Sequence, residues 1–260
     1  MKLGFIGLGN MGRAICSGLV HKSAIAAQDV FGYAPHADKL NAYAAETGIH
    51  ACTSAQAVCE AADAVIIAVK PNIIEGVLGE LRNALRGKAV VSVALGYDFE
   101  RLTALTDPET RVQFVMPNTP AQVGEGVLLF EERSSLRAEE RTELMRMFAQ
   151  LGAVEELPAR LMGIGGAISG CGPAFCAMII EALADAGVKY GLPRAKAYRL
   201  ASQTLVGTGK MQIETNSHPG ALKDNVCSPA GSTIRGVEAL ERAGLRAAML
   251  DAIQAVMEFK

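Results

Sequence analysis

Leu3-Gly4-Phe5-Ile6-Gly7-Leu8-Gly9-Asn10-Met11-Gly12 is the stretch that decides the fold of this chain. An apolar, strand-like run enters Gly-x-Gly-x-x-Gly, and a helical period opens directly behind it. Each glycine has a physical task in such a turn. Gly7 permits the tight bend, Gly9 lets the backbone approach a pyrophosphate, and Gly12 lets the helix lie close on the strand. The helix start adds N–H groups without acceptors and the positive end of the helix dipole, which together favour phosphate. A βαβ unit is therefore predicted, with a dinucleotide site built from Ile6, Gly7, Leu8, Gly9, Asn10, Met11 and Gly12.

Outward from this turn, strands are predicted at residues 2–6, 29–33, 64–69, 88–94, 111–116, 126–130 and 153–157. Helical periods lie between them at 11–20, 37–46, 55–61, 72–85, 99–105 and 136–151. Fully apolar runs such as Ala64-Val65-Ile66-Ile67-Ala68-Val69, alternating with helices, point to a parallel sheet covered on both faces. Residues 1–157 are thus expected to form a doubly wound α/β domain of the Rossmann type. Beyond Pro158 no strand pattern returns, and helices are predicted at 173–190, 193–212, 219–225, 229–243 and 245–259. Pro173, Pro193 and Pro229 fit first helical turns, where a missing N–H costs nothing. Residues 158–260 are expected to be an all-helical domain.

Composition excludes several classes of function. Among 260 residues, 25 Lys and Arg against 27 Asp and Glu leave a net charge of −2, no field for gripping a nucleic-acid backbone. Five per cent aromatic residues and no Trp also remove stacking platforms for single strands. The longest unbroken apolar run, Ala174 to Ile180, is seven residues, well short of the ~20 that span a bilayer, so no membrane partner is expected. The apolar start is broken by glycines too early for a signal peptide. None of the six cysteines (Cys16, Cys52, Cys59, Cys171, Cys176, Cys227) forms a C-x-x-C pair, so no metal is indicated and a cytoplasmic chain with reduced thiols is expected.

Cofactor choice turns on the end of the second strand, where an acidic side chain would hold the ribose of NAD. Phe31-Gly32-Tyr33-Ala34-Pro35-His36 has no carboxylate there, and Asp29 stands at the strand's other end. His36 and Lys39 can face a 2′-phosphate instead, which favours NADPH over NADH, the other candidate. Ala68-Val69-Lys70-Pro71 and Met116-Pro117-Asn118-Thr119-Pro120 end strands at the carboxyl edge of the sheet, where ligands of such folds bind. Asn118, in a loop stiffened by two prolines, is a candidate substrate contact. Near the C-terminus, Ser228 reads as an N-cap, Pro229 as a first-turn residue, and Gly231-Ser232-Thr233 as exposed polar backbone at a helix start, an anion site.

The chain resembles the pyrroline-5-carboxylate reductase family along essentially all its length. The resemblance is carried by Phe5 to Gly12, Val69-Lys70-Pro71, Met116 to Pro120, Ser169-Gly170-Cys171-Gly172-Pro173-Ala174, and Leu222-Lys223-Asp224 through Ser228-Pro229-Ala230-Gly231-Ser232-Thr233. Ala230 and Ser232 depart mildly from the family, which commonly has Gly at the first position and Thr or Ala at the second. The resemblance implies that NADPH delivers hydride to the imine carbon of L-1-pyrroline-5-carboxylate, giving L-proline. It implies that the N-terminal motif and Ala68-Val69-Lys70-Pro71 hold the nucleotide while Ser228 to Thr233 hold the substrate. It further implies that the helical domain pairs with its copy in a homodimer, with dimers associating further in some members.

The chemistry fits these residues. A cyclic imine is basic enough to be partly protonated near neutral pH, in keeping with the lack of a convincing His, Glu or Tyr acid. Thr233 is expected to hydrogen-bond the ring nitrogen, while Ser228 and the backbone N–H groups of Gly231, Ser232 and Thr233 receive the carboxylate. His218 reads as a helix-entry residue, and Lys223 and Asp224 as structural. Two alternatives are a β-hydroxyacid dehydrogenase and a non-catalytic NADPH sensor. The first would need a catalytic lysine behind the glycine-rich segment, yet no Lys follows until Lys189; the second would not need the polar helix start at Ser228 to Thr233.

Overall fold

The computed structural model of the chain describes residues 1–259. Its sheet contains β1 (Leu3–Ile6), β2 (Val30–Tyr33), β3 (His50–Ala51), β4 (Ala64–Ile67), β5 (Ala89–Ser92), β6 (Arg111–Pro117), β7 (Gly126–Ser134) and β8 (Gly152–Leu157). The strand order is β3-β2-β1-β4-β5-β6-β7-β8. The first six strands run parallel; β7 reverses against β6, and β8 follows β7 in parallel. Ile6 pairs with both Tyr33 and Ile67, and Ile67 with Ser92, so β1, β2, β4 and β5 end level at one carboxyl edge.

Six helices cover this sheet: α1 (Asn10–His21), α2 (Ala37–Thr47), α3 (Ala55–Ala61), α4 (Ile74–Glu80), α5 (Phe99–Leu105) and α6 (Ala138–Phe148). Side chains alternate along each strand, and here both faces are buried. Leu3, Phe5 and Ile66 meet Ile15, Leu19, Leu40, Tyr43 and Phe148 from α1, α2 and α6. Ile6, Val65 and Ile67 meet Val58, Ile74, Leu78 and Leu102 from α3, α4 and α5. Ser54 caps α3 by accepting from Ala57 N–H, and Asp98 caps α5 by accepting from Arg101 N–H.

The sequence places the domain break at Pro158, where strand patterns end. The first compact unit extends further, through Gly170. Its last helix, α7 (Ala159–Gly166), lies on β7 and β8. Glycines let it lie close: a Cβ at Gly165 would come within 2.6 Å of Leu157 and 2.9 Å of Leu129, and one at Gly166 within 2.2 Å of Met116 Sδ. A π-helical turn at Ala167–Cys171 then leads into α8 (Gly172–Lys189).

The second unit starts at Cys171 and contains α8, α9 (Arg194–Thr215), α10 (Pro219–Val226), α11 (Ser232–Arg242) and α12 (Leu245–Glu258). Helices α8 and α9 pair, as do α11 and α12. Among its described residues only Ala184, Ala197 and Ala201 are buried, while Met178, Leu183, Leu200, Val206, Ile213 and Leu250 are exposed. One helix is longer and more apolar than the unbroken apolar runs of the sequence suggest. Ala159–Lys189 forms one 31-residue helix with mean hydropathy 1.6 in its most apolar window, enough to cross by length and composition alone. Counting unbroken apolar runs misses it, because Gly, Ser and Pro interrupt the apolar residues without breaking the helix.

A buried polar device marks the join of β6 and β7. The register between them shifts between Gln113 and Val115, and Gln113 Nε2 donates to Phe114 O and Glu131 O at 2.9 and 2.8 Å. Glu131 is fully buried, accepts from Phe99 N–H at 2.8 Å through Oε2, and has no partner at Oε1. Burial pushes its carboxyl pKa above the ordinary 4.5, against the opposing Phe99 N–H. A carboxyl raised in the folded state contributes stability that is complete below its unfolded pKa and is lost as pH rises through the folded one. Glu131→Gln should therefore gain Tm relative to the parent chain as pH rises from 4.5 toward neutrality. Thermal melts across that range check this, and parallel Tm curves for the two chains would contradict it.

Candidate active site

The glycine turn follows β1 at the level carboxyl edge. Gly7 adopts φ +95° and donates to Tyr33 O at 2.9 Å, and a Cβ there would lie 2.6 Å from Ala68 O. A Cβ on Gly12 would lie 2.2 Å from Gly7 O and 3.2 Å from the Ala68 Cβ. Ala68 N–H in turn donates to Ile6 O at 2.8 Å, so residues 6, 7, 12 and 68 form one packed knot. Val69 Cγ1 also stands 2.9 Å from the Cβ position of Gly7. Gly9 differs from its neighbours, because a Cβ there would meet nothing within 4 Å.

Gly9 is the N-cap of α1, whose first intrahelical bond runs from Arg13 N–H to Gly9 O at 2.9 Å. The N–H groups of Asn10, Met11 and Gly12 precede that bond and have no helical acceptor. No side chain caps α1, and its first turn carries no acidic residue. Three free amides behind an open, Cβ-free backbone fit a pyrophosphate. Lys70 is exposed at the same edge and precedes the Pro71–Ile73 turn. His36 is exposed at the N-cap of α2 and its ring makes no capping bond. Arg13, absent from the sequence-based site, bridges the glycine turn and α2 by donating to Leu8 O and Lys39 O at 2.9 and 3.2 Å. A basic residue directly behind the third motif glycine was the available signal.

Asn118 is nearly buried, and both ends of its amide are engaged within the protein. Oδ1 accepts from Val127 N–H and Nδ2 donates to Ser169 O, each at 2.9 Å. These two bonds make Asn118 a brace between the start of β7 and the π-helical turn. The cysteines are all free, and burial pushes the Cys16 and Cys59 thiols up to about 11, which keeps both from acting as thiolates near neutrality.

In the second unit, the start of α11 is corrected from Pro229 to Ser232, with Gly231 rather than Ser228 as N-cap. Ala230 has φ +58°, a left-handed conformation that ends any helix extending backwards. Gly231 N–H donates to Ser228 O at 3.0 Å, and a Cβ on Gly231 would lie 2.4 Å from Ser228 Oγ. Ser228 and Gly231 are thus in direct contact, and Ser232 and Thr233 form the first turn of α11 behind them. No side chain caps α11 and its first turn has no acidic residue, so its leading amides are free for an anion. His218 is a helix-entry residue: its Nδ1 accepts from Gly220 N–H at the start of α10. Lys223 and Asp224 form an ion pair with each other.

A doubly wound unit with this glycine turn, joined to an all-helical unit, defines a nicotinamide-dinucleotide oxidoreductase. Residues 159–259 match the family model for pyrroline-5-carboxylate reductase dimerisation, and residues 2–96 match that for NADP oxidoreductase, coenzyme F420-dependent. The chain is 43% identical to the pyrroline-5-carboxylate reductase of Treponema pallidum, over 99% of each chain. It is 40% identical to that of Escherichia coli, covering 99% of this chain and 96% of the other. The crystal structure of the Plasmodium falciparum pyrroline carboxylate reductase with NADP bound superposes with a TM-score of 0.89 at 33% identity, over 99% of this chain and 96% of that one. The chain belongs to the pyrroline-5-carboxylate reductase family, which sets aside the β-hydroxyacid dehydrogenase alternative.

The two glycines separate folding from binding. Gly9→Ala should fold with unchanged Tm yet raise the Kd for NADPH about tenfold or more, because its methyl stands where a phosphate must approach. Gly7→Ala should cost about 1–3 kcal/mol of stability through its positive φ and its clash with Ala68 O. Fluorescence titration with NADPH and thermal melts check both, and undiminished NADPH binding by Gly9→Ala would contradict the assignment.

Proposed function

We propose that the chain reduces the C=N bond of L-1-pyrroline-5-carboxylate to L-proline with NADPH. The observation that carries this reading is the uncapped, acid-free start of α11, flanked by Ser228, in a chain whose first unit bears a dinucleotide turn. The bound nicotinamide supplies hydride to the imine carbon. The protein supplies position, orientation and charge, which account for much of the rate in such transfers.

For the cofactor, the amides of Asn10, Met11 and Gly12 hold the pyrophosphate, Ile6, Gly7, Leu8 and Gly9 shape the approach, and Ala68-Val69-Lys70-Pro71 flank it. The open end of β2, where His36 lies exposed, carries no carboxylate to hold a ribose 2′-hydroxyl, which favours NADPH before NADH. For the substrate, Ser228 and the N–H groups of Gly231, Ser232 and Thr233 receive the carboxylate, and the Thr233 hydroxyl hydrogen-bonds the ring nitrogen. The imine nitrogen arrives protonated from solvent, so no side chain has to act as general acid. Asn118 serves this reaction by holding its loop at the carboxyl edge of the sheet.

A homodimer completes the helical unit in this reading. Five helices that bury only three alanines among their described residues cannot form a core alone, and a second copy supplies the missing partner surface. Free cysteines agree with a reducing, cytoplasmic setting.

Purified chain mixed with NADPH and pyrroline-5-carboxylate should oxidise the cofactor, followed as loss of near-UV absorbance, and form proline. Turnover of a hydroxy acid with NADP but not of this imine would overturn the reading. Thr233→Ala should lose about 10- to 150-fold in kcat/KM, the value of one hydrogen bond to a charged group. An unchanged kcat/KM would remove Thr233 from the mechanism.

A further inference from the structure

Arg13 lies in the first turn of α1, half-buried, directly behind the third glycine of the turn. Its guanidinium is held on three sides. Nε donates to Leu8 O at 2.9 Å, Nη2 donates to Lys39 O at 3.2 Å, and the group lies over the Tyr43 ring at 4.9 Å. The ring is itself fixed by a 2.7 Å hydrogen bond between Tyr43 Oη and Ser17 Oγ. Arg13 is therefore held in one place between the glycine turn and the start of α2, whereas His36 is exposed and makes no capping bond.

That place is electrostatically unusual. Both polar contacts of Arg13 are to neutral carbonyls, and among the described residues no carboxylate forms an ion pair with it. Asp38 stands in the first turn of α2, exposed and outside any such pair. Two helix N-termini, those of α1 and α2, add their positive ends nearby, neither capped by a side chain. A guanidinium has five N–H donors, and only two are used here, which leaves the outer edge of the fork free for an oxyanion. A partly desolvated cation without a counter-charge is costly unless an anion completes it.

We propose that Arg13 is the residue that distinguishes NADPH from NADH, taking the 2′-phosphate on the free edge of its guanidinium. The proposal rests on the dinucleotide reading above and sharpens it. His36 and Lys39, the candidates that the sequence offers, are exposed, and a side chain that must be ordered on binding loses more freedom than one already held. Arg13 also reports on both halves of the nucleotide site, because the group that meets the phosphate ester is bonded to the glycine turn itself.

The test uses full-length Arg13→Met, Arg13→Lys, His36→Ala and Lys39→Ala chains, titrated separately with NADPH and NADH by nicotinamide fluorescence. Arg13→Met should raise the Kd for NADPH about 10- to 150-fold while that for NADH moves less than about twofold, which shows the turn to be intact. Arg13→Lys, with charge but no fork, should fall between Arg13→Met and the parent chain. Equal weakening of both dinucleotides would mean that Arg13 only braces the turn, and no weakening would mean that it meets no phosphate. An NADPH-selective loss larger in His36→Ala or Lys39→Ala than in Arg13→Met would return the role to those residues. Each of these three results overturns the proposal. A parent chain that binds neither dinucleotide would overturn the cofactor reading itself, before any variant is compared.

Discussion

The seating of α1 on the turn behind β1 is the constraint on which the rest depends. Gly12 approaches the Gly7 carbonyl so closely that any side chain at 12 would overlap it, and Gly7 in turn occupies a left-handed conformation against the Ala68 carbonyl. These are contacts of backbone with backbone, which cannot be relieved by a rotamer change. They fix the direction of α1, and with it the direction of the three amides that no helical bond uses. They also tie β1 to β4 beyond the last ladder pair, so that Ala68 to Pro71 are carried to the same edge. A mobile glycine loop would leave binding to pay the cost of ordering; here that ordering is complete in the free fold.

The doubly wound unit was legible in the sequence because its signals are local. A strand buried on both faces reads as an apolar run, as Ala64 to Ile67 does, and the glycine spacing reports a turn whose geometry admits few other residues. What escaped depends on distant partners. The two-residue β3 is too short to carry a pattern. The placement of α7 with the first unit depends on glycines meeting Leu129, Leu157 and Met116, contacts that no local period announces. Ala230 shows the converse: its resemblance-based mismatch with a family glycine was visible, but the left-handed φ that makes glycine preferable there, and that moves the helix start to Ser232, is a property of the folded turn.

The candidate site divides along the same line. Gly7, Gly9 and Gly12 were assigned from spacing, and Gly231 from its place before a polar helix start; the structure gives Gly7, Gly12 and Gly231 a steric reason, while Gly9 faces open space. Asn118 was assigned from its place in a stiff loop at the correct edge. Its amide is committed to Val127 and Ser169, fifty-one residues away in the latter case, and sequence alone cannot reveal such a bond. Arg13 was overlooked for a similar reason, since its partners Leu8 and Lys39 offer backbone carbonyls, which leave no mark on residue identity. The glycine-rich, aromatic-poor composition also acquires a meaning: small residues let helices lie close to strands in the first unit and to each other in the second, as Gly187 does opposite Leu192 and Ala197.

Hydrogen–deuterium exchange of the full chain, with and without NADPH, tests the central claim most directly. The amides of Asn10, Met11 and Gly12 lack helical acceptors and should exchange quickly in the free protein. If the pre-formed turn is the pyrophosphate cradle, saturating NADPH will slow exchange in the peptides that cover residues 7–13 and 68–71 while leaving the interior of α6 unchanged. Undiminished exchange at residues 7–13 in the presence of bound NADPH would contradict the account.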